Sequence, residues 1–305
     1  MQALALIGAP SSIGIKPYDN GTARGLDQAP NALRALDVVE RIGAIDMGDV
    51  VPPPYSDFTR PAKRTRNEAA VASYSRALAN AVAAAASNYP FVVALGGDCS
   101  IVLGCLLGLK QRGHSHIGLV YLDAHADFAT PEISRSGSAA SMCLALAVGR
   151  GDTPLARLGG DEALVRPQDV VVIGRRDDAD APIYGQDELK SSGMLDLSPN
   201  RVRESGVHAI ANATLERLEA SGVDGFWIHV DADVLDPGVV PAVDSPEPGG
   251  LSLDEVASIL EPLVRHRLAL GLELTIYDPV LDPDRASAAR LVALLERPFA
   301  HRRNE

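Results

Sequence analysis

Cysteine is scarce in this chain: three in 305 residues (Cys99, Cys105 and Cys143), with no close-spaced pair among them. That spacing writes no disulfide framework, so a reducing compartment, the cytoplasm, is expected. Long apolar runs are lacking as well. None reaches the roughly 18 residues of a membrane-spanning helix, because Gly, Asp or Lys interrupts each one. Basic residues are outnumbered, 28 Lys and Arg against 40 Asp and Glu for a net charge of −12. This balance argues against nucleic acid or an anionic membrane as a partner. Residues 1–10 carry no basic leader and read as an opening strand, not a signal peptide. With no internal repeat, low-complexity tract or compositional break, one domain over residues 1–305 is expected.

What is present is alternation. Strand-like apolar runs at 3–7, 89–95, 117–122, 169–173, 225–230 and 269–276 are separated by helix-favouring stretches such as the alanine-rich 67–86. Strands alternating with helices predict an α/β fold: a three-layer α/β/α sandwich around a mostly parallel sheet. Residues 56–67 are polar and expected to be a surface connection, and 180–207 read as a loop followed by a helix.

Two of the strand-like runs end in acidic clusters. Residues 117–121 lead into Asp123, His125 and Asp127; residues 225–229 lead into Asp231 and Asp233. Strand side chains alternate between faces, so each cluster shares one side of its segment. Four carboxylates and an imidazole at neighbouring strand ends repel unless cations neutralise them, and the crevice beyond the carboxyl ends of a parallel sheet is where ligands bind. A metal site, holding two ions, is the simplest account. A third turn, Gly96-Gly97-Asp98-Cys99-Ser100, follows the run at 89–95; its glycines permit a sharp bend, and Ser100 can begin the next helix.

Taken together, these three motifs resemble the arginase–agmatinase (ureohydrolase) family. Its Asp-x-Asp-x-x-Asp-Pro pattern is matched by Asp231, Asp233, Asp236 and Pro237, followed by the proline- and glycine-rich stretch to Leu251. The likeness begins at Ile7-Gly8-Ala9-Pro10, includes residues 28–34, runs to Tyr277-Asp278-Pro279 and so covers nearly the whole chain. It implies an arginase-like fold, a small-molecule substrate, assembly as a homo-oligomer (trimer or hexamer), and two divalent ions, usually manganese, bridged by a hydroxide. Carried over by position, one ion takes Cys99, Asp123, Asp127 and Asp231. The other takes Asp123, His125, Asp231 and Asp233. Asp127 also orients the hydroxide, and the implied reaction is hydrolysis of a C–N bond at an amidine-like or amide-like carbon.

Several positions depart from the family pattern. Cys99 stands where the family has histidine, and a thiolate suits zinc or ferrous iron better than manganese. Three readings stay open: a thiolate ligand, a buried thiol beside a weakly held ion, or an empty first site. His229, on the same strand face as Asp231, is expected to donate a hydrogen bond behind the site, with a ligand or proton-shuttle role as the alternative. In the following loop Ser136-Gly137 matches the family, marking Ser136 as a substrate contact. The family's Asn and proton-shuttling His positions fall on Ala129 and Ala140, and the Glu that pairs with a guanidinium falls on Ile276. A further Asp position falls on Ala179, unless a one-residue shift restores Asp178 or Asp180. Arg135 and Arg175 are expected to be ordinary solvated surface, with an anionic group on the ligand as the other reading. Cys105 and Cys143 read as small core residues, Tyr277 as packing, and His114, His116, His208, His266 and His301 as surface residues. A metal-dependent hydrolase whose substrate is not ordinary L-arginine is the leading expectation. A non-catalytic relative and a one-metal, deacetylase-like amidohydrolase are the alternatives.

Overall fold

The computed structural model describes residues 4–56, 60–178 and 185–300. Eight strands form one sheet: β1 (Leu4–Ala9), β2 (Ala44–Asp49), β3 (Val92–Gly96), β4 (Ile117–Leu122), β5 (Val170–Ile173), β6 (Leu195–Leu197), β7 (Gly225–Asp231) and β8 (Ala269–Thr275). Their order across the sheet is β2-β1-β3-β8-β7-β4-β5-β6, and every neighbouring pair is parallel. β3, β7 and β4 are buried along their whole length, and β8 at all but one residue. Side chains enclosed on both faces are why these strands read as continuous apolar runs instead of alternating ones.

Helices Glu68–Ala86 and Ile101–Gln111 pack together over one face, and Val207–Ser221, Leu253–Arg265 and Ala286–Phe299 lie side by side over the other. The result is the expected three-layer sandwich. Helix Leu253–Arg265 starts at a capping box: Ser252 Oγ accepts from Glu255 N at 3.2 Å, and Glu255 Oε2 accepts from Ser252 N at 2.8 Å.

The sheet is wider than the sequence pattern predicts. Strand β2 is mostly exposed and β6 has only three residues, so neither leaves an apolar run to detect. Residues 185–207 hold helix Gln186–Lys190, β6 and helix Pro199–Ser205, more structure than the expected loop and helix. The polar connection is not simply surface: Thr65 and Asn67 are buried, and Asn67 Nδ2 donates to Ile13 O at 3.1 Å. Arg60 also donates to the carbonyls of Pro131 and Ser134 at 2.7 and 2.5 Å, bracing the loop after β4. Ala3, Ala179, Asp180 and His301 lie outside the described residues. No helix among the described residues is long and apolar enough to cross a membrane.

Candidate metal centre

The candidate ligands sit where four adjacent strands stop. Cys99 follows β3, Asp123 follows β4 and Asp231 closes β7, with β8 lying between β3 and β7. Strands distant in sequence become neighbours here, and that rearrangement opens a crevice beyond their carboxyl ends. The turn after β3 owes its shape to Gly97, where a Cβ would stand 1.8 Å from Ser11 O. Asp98 is the brace of that turn, not a ligand candidate: fully buried, it accepts from Ser11 Oγ at 2.7 Å and Gly14 N at 3.1 Å.

Around the crevice the donors fall into two groupings, each with its ligand atoms within 4.8 Å of one another. Cys99, Asp123, His229 and Asp231 form one; Asp123, His125 and Asp233 form the other. Asp123 therefore belongs to both, while Asp231 belongs only to the first. Backbone amides set the carboxylates in place: His125 N donates to Asp123 Oδ1 (2.6 Å), Asp233 N to Asp231 Oδ1 (2.8 Å) and Ala124 N to Asp233 Oδ1 (3.1 Å). His125 Nδ1 lies 2.9 Å from Asp233 Oδ2. Asp127, at φ 45°, lines the same cavity but stands outside both groupings. Its Oδ2 accepts from the Tyr121 hydroxyl at 2.8 Å and the Cys143 thiol at 3.4 Å.

Charges here are poorly matched. Burial pushes the pKa of Asp231 well above the usual carboxylate range, and its neighbours Asp233 and Asp123 add to the push. Burial and Asp123 do the same to Asp127. Burial and Asp231 raise the Cys99 thiol, which donates to Asp231 Oδ2 at 2.9 Å. Asp123 alone is lowered: burial opposes it, but His125 and His229 prevail. Yet Asp123 Oδ2 and His229 Nε2 are buried with no hydrogen-bond partner, 3.8 Å apart. A divalent cation would satisfy both orphaned atoms and replace protons that the crowded acids otherwise retain. The donor set fits such a group.

Above this floor lies a cavity of about 390 Å³, walled by Ala140 and Ile276 and rimmed by Lys16, Arg24, Ser136, Ser138 and Ser141. Ile276 falls outside β8 at φ 65°. Ser136 Oγ accepts from Ser138 N at 3.1 Å and lies 3.3 Å from Ser141 Oγ, a hydroxyl cluster at the mouth. Ala129 is buried. Neither Arg135 nor Arg175 reaches the cavity. Arg135 is exposed, and buried Arg175 is held by Asp177 (2.8 Å), Asp178 (2.7 Å) and Asp196 (2.7 Å), three acids it exists to neutralise. The cations at the rim are Lys16 and Arg24 instead, with Arg24 paired to Asp244 and stacked over Tyr18.

Sequence reasoning missed Glu273, Tyr121 and the reach of Cys143. Glu273 is a fully buried carboxylate inside an apolar strand, and a lone acid in such a run was the available signal. Cys143 is in the core as expected, yet its thiol lies 3.0 Å from the Tyr121 hydroxyl beside Asp127. Tyr277 packs as expected, donating to Asp282 Oδ2 at 2.8 Å.

The family model described as Arginase family matches residues 2–299. An arginase from Bacillus caldovelox is 30% identical over 313 residues, covering 99% of this chain and 99% of that protein. Its solved native structure superposes with a TM-score of 0.87 over 98% of both chains. The arginase structure from Bacillus cereus is 31% identical, with a TM-score of 0.84 and 98% of both chains covered. The proclavaminate amidino hydrolase of Streptomyces clavuligerus is 22% identical, with a TM-score of 0.71 over 98% of this chain and 92% of that one; it shares the fold.

Proposed function

Because the chain belongs to the arginase family, we propose that it hydrolyses a C–N bond of a guanidino- or amidino-type small molecule other than ordinary L-arginine. The single observation behind this reading is the cluster of Cys99, Asp123, His125, Asp231 and Asp233, set where β3, β4 and β7 end beneath a cavity walled by Ile276 and Ala140. Divalent cations held by those donors would lower the pKa of a water and stabilise the charge on a tetrahedral intermediate.

The chain's own residues do the rest. Asp127, anchored by Tyr121 and Cys143, orients the water and carries its proton towards the leaving nitrogen. Ala140 has no titratable group for that relay. Ile276 presents methyl groups where a bare guanidinium needs a carboxylate, and a buried cation without its partner costs several kcal/mol. The preferred substrate therefore carries a substituted or less basic carbon centre. Ser136, with its hydroxyl neighbours, binds the polar end of the substrate at the mouth.

A screen for released urea or ammonia across guanidino and amidino compounds, with metal content measured on the same protein, tests this. Turnover of a substituted compound with little or none of arginine is expected. Arginine hydrolysed at ordinary arginase rates overturns the reading of the wall. Absence of both metal and turnover overturns the hydrolase.

A further inference from the structure

His229 stands between two carboxylates, and only its Glu273 side is closed by a hydrogen bond. It is wholly buried, and its neighbours on both flanking strands hold it: the sheet register sets Tyr121 of β4 and Glu273 of β8 directly beside it. The Tyr121 ring stacks on the imidazole with centroids 4.1 Å apart and planes 10° from parallel. On the other side Nδ1 lies 2.7 Å from Glu273 Oε1, and Trp227 Nε1 donates to the second oxygen of the same carboxylate. A carboxylate at that distance keeps a proton on Nδ1, so Nε2 is the nitrogen on offer to a cation. The ring's ligand atom lies within 4.8 Å of those of Cys99 and Asp231, which line the cavity. There Nε2 finds no hydrogen-bond partner, only the equally unpartnered Asp123 Oδ2 at 3.8 Å, with Cys99 and Asp231 in the same grouping.

We propose that His229 is a metal ligand, completing a first cation site of Cys99 Sγ, Asp123, His229 Nε2 and Asp231 that prefers zinc or ferrous iron to manganese, with Glu273 as its positioning residue. The site rests on the reading that cations bind this floor. It takes the imidazole missing at residue 99 from β7, two strands across the sheet, and adds a thiolate: one soft, one nitrogen and two oxygen donors in place of a hard set. On binding, the thiol proton that Cys99 gives to Asp231 at 2.9 Å leaves to solvent and the cation takes its place. Glu273 performs the office of the carboxylate behind a ligating histidine, orienting the ring and strengthening it as a donor.

Cobalt(II) added to chelator-treated full-length protein provides a readout independent of catalysis. The wild type should show a thiolate-to-cobalt absorption in the near ultraviolet, which Cys99→Ser abolishes. His229→Gln should lower affinity for the first cobalt equivalent and change the visible bands, while Glu273→Gln weakens it about 10- to 100-fold. Competition should place zinc well ahead of manganese, and Cys99→His should move that preference back towards manganese. Circular dichroism confirms that each variant folds; if His229→Gln does not, the milder Glu273→Gln and Cys99→Ser titrations decide the matter. A wild-type spectrum without the thiolate band, or equal cobalt affinity with and without the His229 imidazole, overturns the proposal. Manganese-loaded turnover with no thiolate band sinks this site and leaves the hydrolase standing. A thiolate band with no turnover of any guanidino or amidino compound does the reverse.

Discussion

The two ends of the sheet use the same residue in opposite ways. At the amino end, ahead of β5 and β7, Asp169 and Asp224 are fully served. Asp169 receives Arg166 Nε at 2.7 Å and His116 Nε2 at 2.8 Å, while Asp224 accepts the backbone amides of Ser115 and His116 at 2.9 and 3.1 Å. Burial pushes the Asp169 carboxyl up, but hydrogen bonds from Arg166, Ser221 and His116 hold it below the usual range. At the carboxyl end, Asp231 and Asp127 are pushed up by burial and by one another's neighbours, and Asp123 keeps an unmet oxygen. Local consistency builds the scaffold at the amino end; at the carboxyl end it gives way, as expected where a sequence gives up stability for chemistry.

The largest effect should come from Asp123→Ala, which removes the donor common to both groupings. Metal content by elemental analysis should fall towards zero and turnover by roughly four orders of magnitude; a variant keeping its metal would erase the distinction between the two ends. Next is Ile276→Glu, which restores a carboxylate to the cavity wall and should raise kcat/KM for arginine by about a hundredfold, measured by urea release. No gain would mean that the wall is not what excludes the guanidinium.

Stability should then move in opposite directions at the two ends. Asp231→Asn removes a repelled carboxyl and, unfolded by urea in chelator, should be more stable than wild type by about 1 kcal/mol despite losing function. Asp169→Asn should lose about 1 kcal/mol at neutral pH with metal content unchanged. Its pH dependence has a fixed sign. Because the folded pKa of Asp169 lies below the unfolded value of about 3.9, its contribution is present above that pH and lost as pH falls through the folded value. The gap between Asp169→Asn and wild type should therefore close in acid, followed by thermal melts at stepped pH.

The middle of the sheet was legible because burial on both faces leaves a continuous apolar run, and because acids at two of those run ends have no structural excuse. The edges were not, since exposed β2 and three-residue β6 obey no such pattern. Five of the candidate ligands could be named from spacing within a strand. The pairing of His229 with Glu273 could not, because cross-strand register joins residues 44 apart and local sequence does not encode it. Arg175 misled for a related reason: its charge suggested solvated surface or a ligand contact, but three acids brought in by the loop after β5 and by β6 consume it.

Ile276 carries a further consequence. A β-branched residue at φ 65° is held against its own preference, at a cost on the order of 1–3 kcal/mol, and the amide that locks it there donates to Gly97 O at 2.8 Å. That anchor ties the partition between the cavity and the hydrophobic interior to the turn that carries Cys99. Such a surface behaves as a rigid stop, not a yielding cushion.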